Sequence, residues 1–324
     1  MHKFKLTALL AIASASTFAQ QASTDIYIVD YGVKDGNYYF NAPVNITHRP
    51  GYDNQPSFSP DAGKVYYTSY HDTIQSDIYV YDLNDTSTTQ ITQSAESEYS
   101  PRLAKDQMGL NIIRVDADRG QRFYKILLDG TDPIQLVSST DSAAYYAWVN
   151  DSTIAMAVLN GGKMDLNVYT LPLEQFIPLA TNVGRCIASI PGSGDDEFSY
   201  VDKSDTNGFI IMRFGMELGQ ISSVTTLPKG VEDYAWLNNG KLVCGIEGKL
   251  YLFDPETPAR GWYEINDMSQ TVGNFYRITA SPVSNTLALV AYKDDLNKKS
   301  VAKDKSAGEA DKDKKEGKRK KRKD

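Results

Sequence analysis

The sequence predicts an all-β chain folded as a six-bladed β-propeller. Three observations carry this reading. First, short runs of β-branched and aromatic residues alternate with Gly, Pro, Asn and Asp clusters, and none has helical spacing. Second, a unit of four such runs recurs six times. Anchored on Phe58, Leu103, Trp148, Ile187, Trp236 and Ala280, it repeats at intervals of 45, 45, 39, 49 and 44 residues, the size of a propeller blade. Third, the sixth unit stops after two strands, and its missing outer pair stands at the other end of the chain. Shared completion of one blade closes the ring and leaves no open edge.

Segment 56–92 shows the unit most clearly, with runs at 56–59, 65–69, 77–83 and 88–92 separated by turn residues. Second strands then follow at 111–115, 153–158, 197–201, 241–245 and 286–292. Third strands are expected at 122–128, 165–171, 209–214 and 249–254, and fourth strands at 133–137, 175–180, 220–227 and 261–265. Near the start, Asp25-Ile26-Tyr27-Ile28-Val29-Asp30 mirrors Asp77-Ile78-Tyr79-Val80-Tyr81-Asp82, a third strand. Pro43-Val44-Asn45-Ile46-Thr47 mirrors the fourth strand at 88–92. The ring is therefore expected within residues 20–297.

Both ends differ from this body. Residues 1–19 read as a secretory signal: Lys3 and Lys5 precede an apolar stretch from Leu6 to Ala15, and Thr17 and Ala19 place small residues for cleavage after Ala19. That stretch, like every other in the chain, is shorter than a membrane span. A periplasmic or secreted protein is expected. Residues 298–324 hold 13 Lys/Arg and 6 Asp/Glu, whereas residues 1–297 hold 21 Lys/Arg and 35 Asp/Glu. The overall charge of −7 thus averages an acidic body and a basic, almost apolar-free tail. Such a tail is expected to be disordered and solvated, with an electrostatic contact to an anionic surface or partner as the alternative. Export argues against a nucleic-acid role for its Lys318–Lys323 run.

Pro56-Ser-Phe-Ser-Pro-Asp-Ala-Gly-Lys-Val-Tyr-Tyr-Thr-Ser69, followed by Ser76-Asp-Ile-Tyr-Val-Tyr-Asp-Leu83 and Thr88-Thr-Gln-Ile-Thr92, resembles the repeat of TolB-type, WD40-like propellers. Later blades keep parts of it: Pro101 and Asp106, Trp148 and Asp151, Ser281-Pro282. In blade one, Ala62 precedes Gly63 and lengthens the usual Pro-Asp-Gly turn. The resemblance implies an exported scaffold with a protein partner in the cell envelope. It also extends to propellers carrying hydrolase domains, but the length leaves no room for one and no Gly-x-Ser-x-Gly elbow occurs.

Candidate site residues cluster where the chain enters its first strands. Tyr99, Tyr145, Tyr234 and Tyr276 recur there, with Arg185, Asp233 and Arg277 beside them and His71 on a neighbouring turn. Phenol rings suit peptide, protein or sugar contacts, and guanidinium groups suit a carboxylate. The leading expectation is a non-catalytic scaffold for a protein partner. The alternative is a metal-dependent, carbohydrate- or peptide-binding propeller with a carboxylate-lined channel. For it, Asp53, Glu98, Glu232 and Asp233 are the acids in place, and calcium is the ion they would suit. No catalytic residue and no cofactor motif is read. Cys186 and Cys244 are expected as two buried thiols, although export permits a disulfide. Because the chain leaves blade six where a second-to-third-strand loop would begin, the tail is expected on the side of the channel mouth.

Overall fold

A computed structural model describes residues 23–70, 75–128, 132–171, 175–194, 196–205 and 207–293. The predicted signal, the tail and His71 lie outside them. The described residues form six antiparallel sheets, each ordered from an inner strand outward. The inner strands are Asp53–Phe58, Ser97–Leu103, Ala143–Trp148, Val183–Ser189, Tyr234–Trp236 and Phe275–Ala280. Every expected strand is present, within a few residues of its expected bounds. Among the described residues no helix is long and apolar enough to cross a membrane.

The second strands explain the core. Lys64–Tyr70, Gly109–Val115, Thr153–Asn160, Glu197–Asp202, Leu242–Ile246 and Thr286–Tyr292 are buried along most of their length. Each is covered on both faces by neighbouring blades, so it reads as a continuous apolar run instead of an alternating one. Fourth strands such as Thr88–Gln90 and Gln175–Ala180 are exposed at the perimeter. The seams between blades also carry a polar contact that repeats. Trp148 Nε1 donates to Asn111 Oδ1 of blade two at 3.0 Å, and Trp236 Nε1 to Ser199 Oγ of blade four at 2.8 Å. The Tyr146 hydroxyl donates to the Asn111 carbonyl at 2.8 Å, and that of Tyr234 to Ser199 Oγ at 2.6 Å. The motif Tyr-Ala-Trp at 146–148 and 234–236 thus buries an indole and satisfies its N–H in one step.

Closure follows the predicted scheme. The strand Thr24–Lys34 pairs with Thr286–Tyr292 from Thr24↔Tyr292 to Asp30↔Thr286, and Val44–Asn45 pairs on its other side. Two segments about 260 residues apart therefore share one blade. One element is additional: Tyr31–Lys34 turns through Asp35 and Gly36 to pair with Asn37–Phe40. Both turn residues have positive φ, 51° and 76°, the requirement that Asp-Gly meets in a two-residue hairpin. The Tyr39 ring lies over Gly32, where a larger side chain would have to displace it. Tyr31, Tyr38 and Phe40 pack on the blade-five and blade-six core.

We use near face for the side where inner strands begin and far face for the side where they turn into second strands. The far-face turns reuse one geometry. Ala62 N bonds Ser59 O, Gln107 N bonds Ala104 O and Gly240 N bonds Leu237 O, with φ of 58°, 58° and 77° at the donor residues. Ala62 therefore occupies the position that glycine holds in blade five. Left-handed backbone costs an alanine about 1 kcal/mol, so Ala62→Gly should raise the unfolding free energy by about that amount in urea titrations.

Asp53 sits at the junction of blades one and six. Arg49 Nη2 lies 2.8 Å from its Oδ1, which also accepts from Ser69. Burial pushes its carboxyl up to about 6, against the pull of Ser69 and Arg49. The folded state then holds a proton that the unfolded chain releases near pH 4. This group's contribution favours folding at low pH and is lost as pH rises from about 4 to 6, by up to about 3 kcal/mol. Stability measured relative to Asp53→Asn should therefore shift in favour of wild type between pH 7 and pH 4.5. An unchanged difference would contradict the assignment.

Candidate functional site

The inner strands enclose a cavity of about 760 Å³ on the propeller axis, with walls from all six blades. Phe58, Trp148 and Trp236 supply its aromatic wall, and Pro60, Pro191 and Pro282 stand at the far-face rim. Its lining stops toward the near face at Tyr145, Arg185, Asp233 and Arg277. The cavity therefore opens at the far face and has a floor near the strand starts.

The floor is a cross-braced cationic network. Arg185 Nε donates to Asp233 Oδ2 at 2.7 Å, its Nη2 engages the same oxygen, and its Nη1 is 3.7 Å from Glu232 Oε2. Burial works against the charge on Arg185, but Asp233 outweighs it and holds the guanidinium above its ordinary value. Arg185 also lies over the Tyr276 ring at 5.5 Å. Arg277 of blade six lies over the Tyr145 ring of blade three at 5.6 Å, a contact that spans the ring between opposite blades. Beneath it, Tyr276 stacks on Tyr292 at 4.5 Å and accepts from the Asn54 amide. Tyr52 packs edge-on against Tyr70, whose hydroxyl meets that of Tyr99. Burial pushes the Tyr52 phenol far above its ordinary value.

Four of the predicted residues, Tyr145, Arg185, Asp233 and Arg277, are thus brought together on the floor. Tyr276 lies just below, and Tyr99 lies to the side with Tyr70. Tyr234 also lines the cavity, but its hydroxyl turns into the seam between blades four and five. Aligned on the Tyr-Ala-Trp repeat, it is the counterpart of Tyr146, and Asp233 is the counterpart of Tyr145. Side chains alternate sides along a strand, so this one-residue offset sends Tyr234 the other way. Arg102, Trp148 and Trp236 were not among the predicted site residues, although the indole spacing of two blades marks a shared environment.

Two expectations are corrected. The channel is not carboxylate-lined: its charged residues are Arg102, Lys105, Arg185 and Arg277 against Asp233. The other candidate acids are engaged elsewhere, Asp53 by Arg49 and Ser69, Glu98 by Ser94, and Glu232 by Lys203. Among the described residues, no three His, Cys, Asp or Glu side chains converge as a metal site. The chain also does not leave at the open mouth. Tyr292 and Lys293, which pairs with Asp25 at 2.8 Å, lie on the near face beside the floor network. The second strand does end where expected, but the mouth is at the opposite end of the axis.

Both cysteines are free. Cys186 lines the cavity and donates to the Tyr234 carbonyl, and burial pushes its thiol up to about 12. It is therefore a neutral donor at physiological pH and not a thiolate nucleophile.

No family model matches this chain, and no curated protein matches it. Solved structures do share its fold. A protein described as TolB from Agrobacterium tumefaciens superposes with a TM-score of 0.62 at 12% identity, over 84% of this chain and 98% of the other. TolB from Acinetobacter baumannii gives 0.53 at 13% identity, over 84% of this chain; the match spans only 64% of that protein's length. An oligogalacturonate lyase from Vibrio parahaemolyticus gives 0.53 at 14% identity, over 82% and 86%. The chain thus shares its propeller fold with solved structures that include both TolB proteins and a lyase.

Proposed function

We propose that this protein is an exported, non-catalytic propeller whose far-face cavity takes a segment of a protein partner in the cell envelope. The observation that carries this reading is the cavity itself: about 760 Å³, walled by Phe58, Trp148 and Trp236, rimmed by prolines and floored by fixed cations. Apolar walls with a few placed polar groups are the usual composition of a binding pocket. The free edges of the inner strands face the axis, so an extended segment also meets unpaired backbone groups there. The braced floor suits rigid presentation with little rearrangement.

The lyase likeness favours a second reading, an acidic-carbohydrate binder, because indoles above a cationic floor suit a uronic acid. Ser189 separates the two faces experimentally, since it is exposed and lines the cavity. Ser189→Trp should obstruct the cavity, leave the fold intact and abolish capture of the envelope partner by the mature protein. Retained capture of the same partner would remove the cavity from the account.

A further inference from the structure

We propose that the cavity floor is a carboxylate receptor, in which Arg277 and Arg102 take the acidic side chain of an extended, otherwise apolar protein segment. This deepens the reading above and rests on the cavity being the docking site.

Two arginines that line the cavity have no carboxylate partner among the described residues. Arg49, Arg114, Arg122, Arg185 and Arg213 each pair with a carboxylate. Arg277 pairs with none among the described residues, and its buried Nε has no hydrogen-bond acceptor. It lies over the Tyr145 ring at 5.6 Å. Asp233 is near enough to favour its charge, but both close contacts to that carboxylate come from Arg185. Arg102 also lacks a carboxylate among the described residues and lies over the Tyr146 ring at 5.5 Å. Arg102, Cys186 and Arg277 all line the same cavity.

A buried polar atom without a partner is costly, and the Arg277 Nε is such an atom, whereas Arg102 is exposed to an incoming ligand. Of the four cations that line the cavity, Lys105 pairs with Asp151 at 2.8 Å and Arg185 with Asp233 and Glu232, which leaves Arg102 and Arg277 without a carboxylate among the described residues. Two planar forks that line one cavity, from blades two and six, suit a carboxylate, and the partly apolar wall strengthens the contact.

The test uses the mature protein, its tryptophan fluorescence and two probes, N-acetyl-Phe-Pro-Glu-amide and the same peptide ending in Gln-amide. The Glu peptide should bind at least tenfold more tightly, and this preference should vanish in Arg277→Met and in the exposed, fold-safe Arg102→Gln. Arg277→Met should also keep a cooperative thermal transition, because the substitution breaks no ion pair among the described residues. Equal binding of both peptides, lost together in Ser189→Trp, would overturn the carboxylate assignment and leave the cavity reading standing. Binding of digalacturonate with no binding of either peptide would overturn the peptide assignment. Absence of all binding would remove this proposal and the docking site together. If Arg277→Met lost stability strongly, an unchanged Glu preference in Arg102→Gln would still overturn the proposal.

Discussion

Ile26→Asp is expected to leave the chain largely unfolded at 25 °C. Ile26 is fully buried in the third strand of blade six, opposite Val290 of the second strand. It packs in the cluster that joins blade six to Val65 and Tyr67 of blade one. The substitution removes a buried aliphatic group, worth about 2–5 kcal/mol, and places an unpaired carboxylate in an apolar seam. That sum reaches the 5–15 kcal/mol that stabilises a typical domain. The loss falls where the two chain ends meet, so it also exposes strand edges that the ring otherwise hides. Ile177→Asp is the control, since Ile177 is 69% exposed on an outer strand and should change stability by less than about 0.5 kcal/mol. Far-ultraviolet circular dichroism during urea titration reads both. A cooperative transition for Ile26→Asp at the wild-type midpoint would show that closure does not hold the ring together.

Asp233→Ala is expected to destabilise the protein by about 3–5 kcal/mol, the cost of leaving a buried cation without its anion. Asp233 is buried and accepts from two nitrogens of Arg185. Removing it leaves Arg185 with the more distant Glu232, whose other oxygen is held by Lys203 at 3.1 Å. It also leaves Arg277 facing Arg185 with no negative charge between them. The double variant Asp233→Ala/Arg185→Met should recover more than half of the loss, because the uncompensated charge is then gone. Additive losses in the double-mutant cycle would mean that the pair does not act as a unit.

The architecture was legible because the blade period and the complementary ends are properties of the chain itself. Second strands were the clearest, since burial on both faces makes runs such as Leu287–Ala291 continuously apolar. The hairpin at 31–40 was missed although Asp35-Gly36 signals it, because the repeat used to find strands has no counterpart there. The site was legible in part. Tyr145, Arg185, Asp233 and Arg277 could be placed on one end of the axis from strand starts alone. Which way each side chain points required register, and the one-residue offset at Tyr234 defeated the repeat. Which end of the axis is open depends on side chains meeting across the ring, such as Arg277 and Tyr145, and no local pattern reports that contact.

The central claim is that the partner docks at the far face. Amide hydrogen exchange of the mature protein, free and bound to the partner it captures from the envelope, tests this most directly. The account predicts new protection confined to far-face turns 59–63, 104–108, 149–152, 190–194, 237–241 and 281–285. Protection of near-face loops 116–120, 161–162 and 247–248, with the far-face turns unchanged, would contradict it.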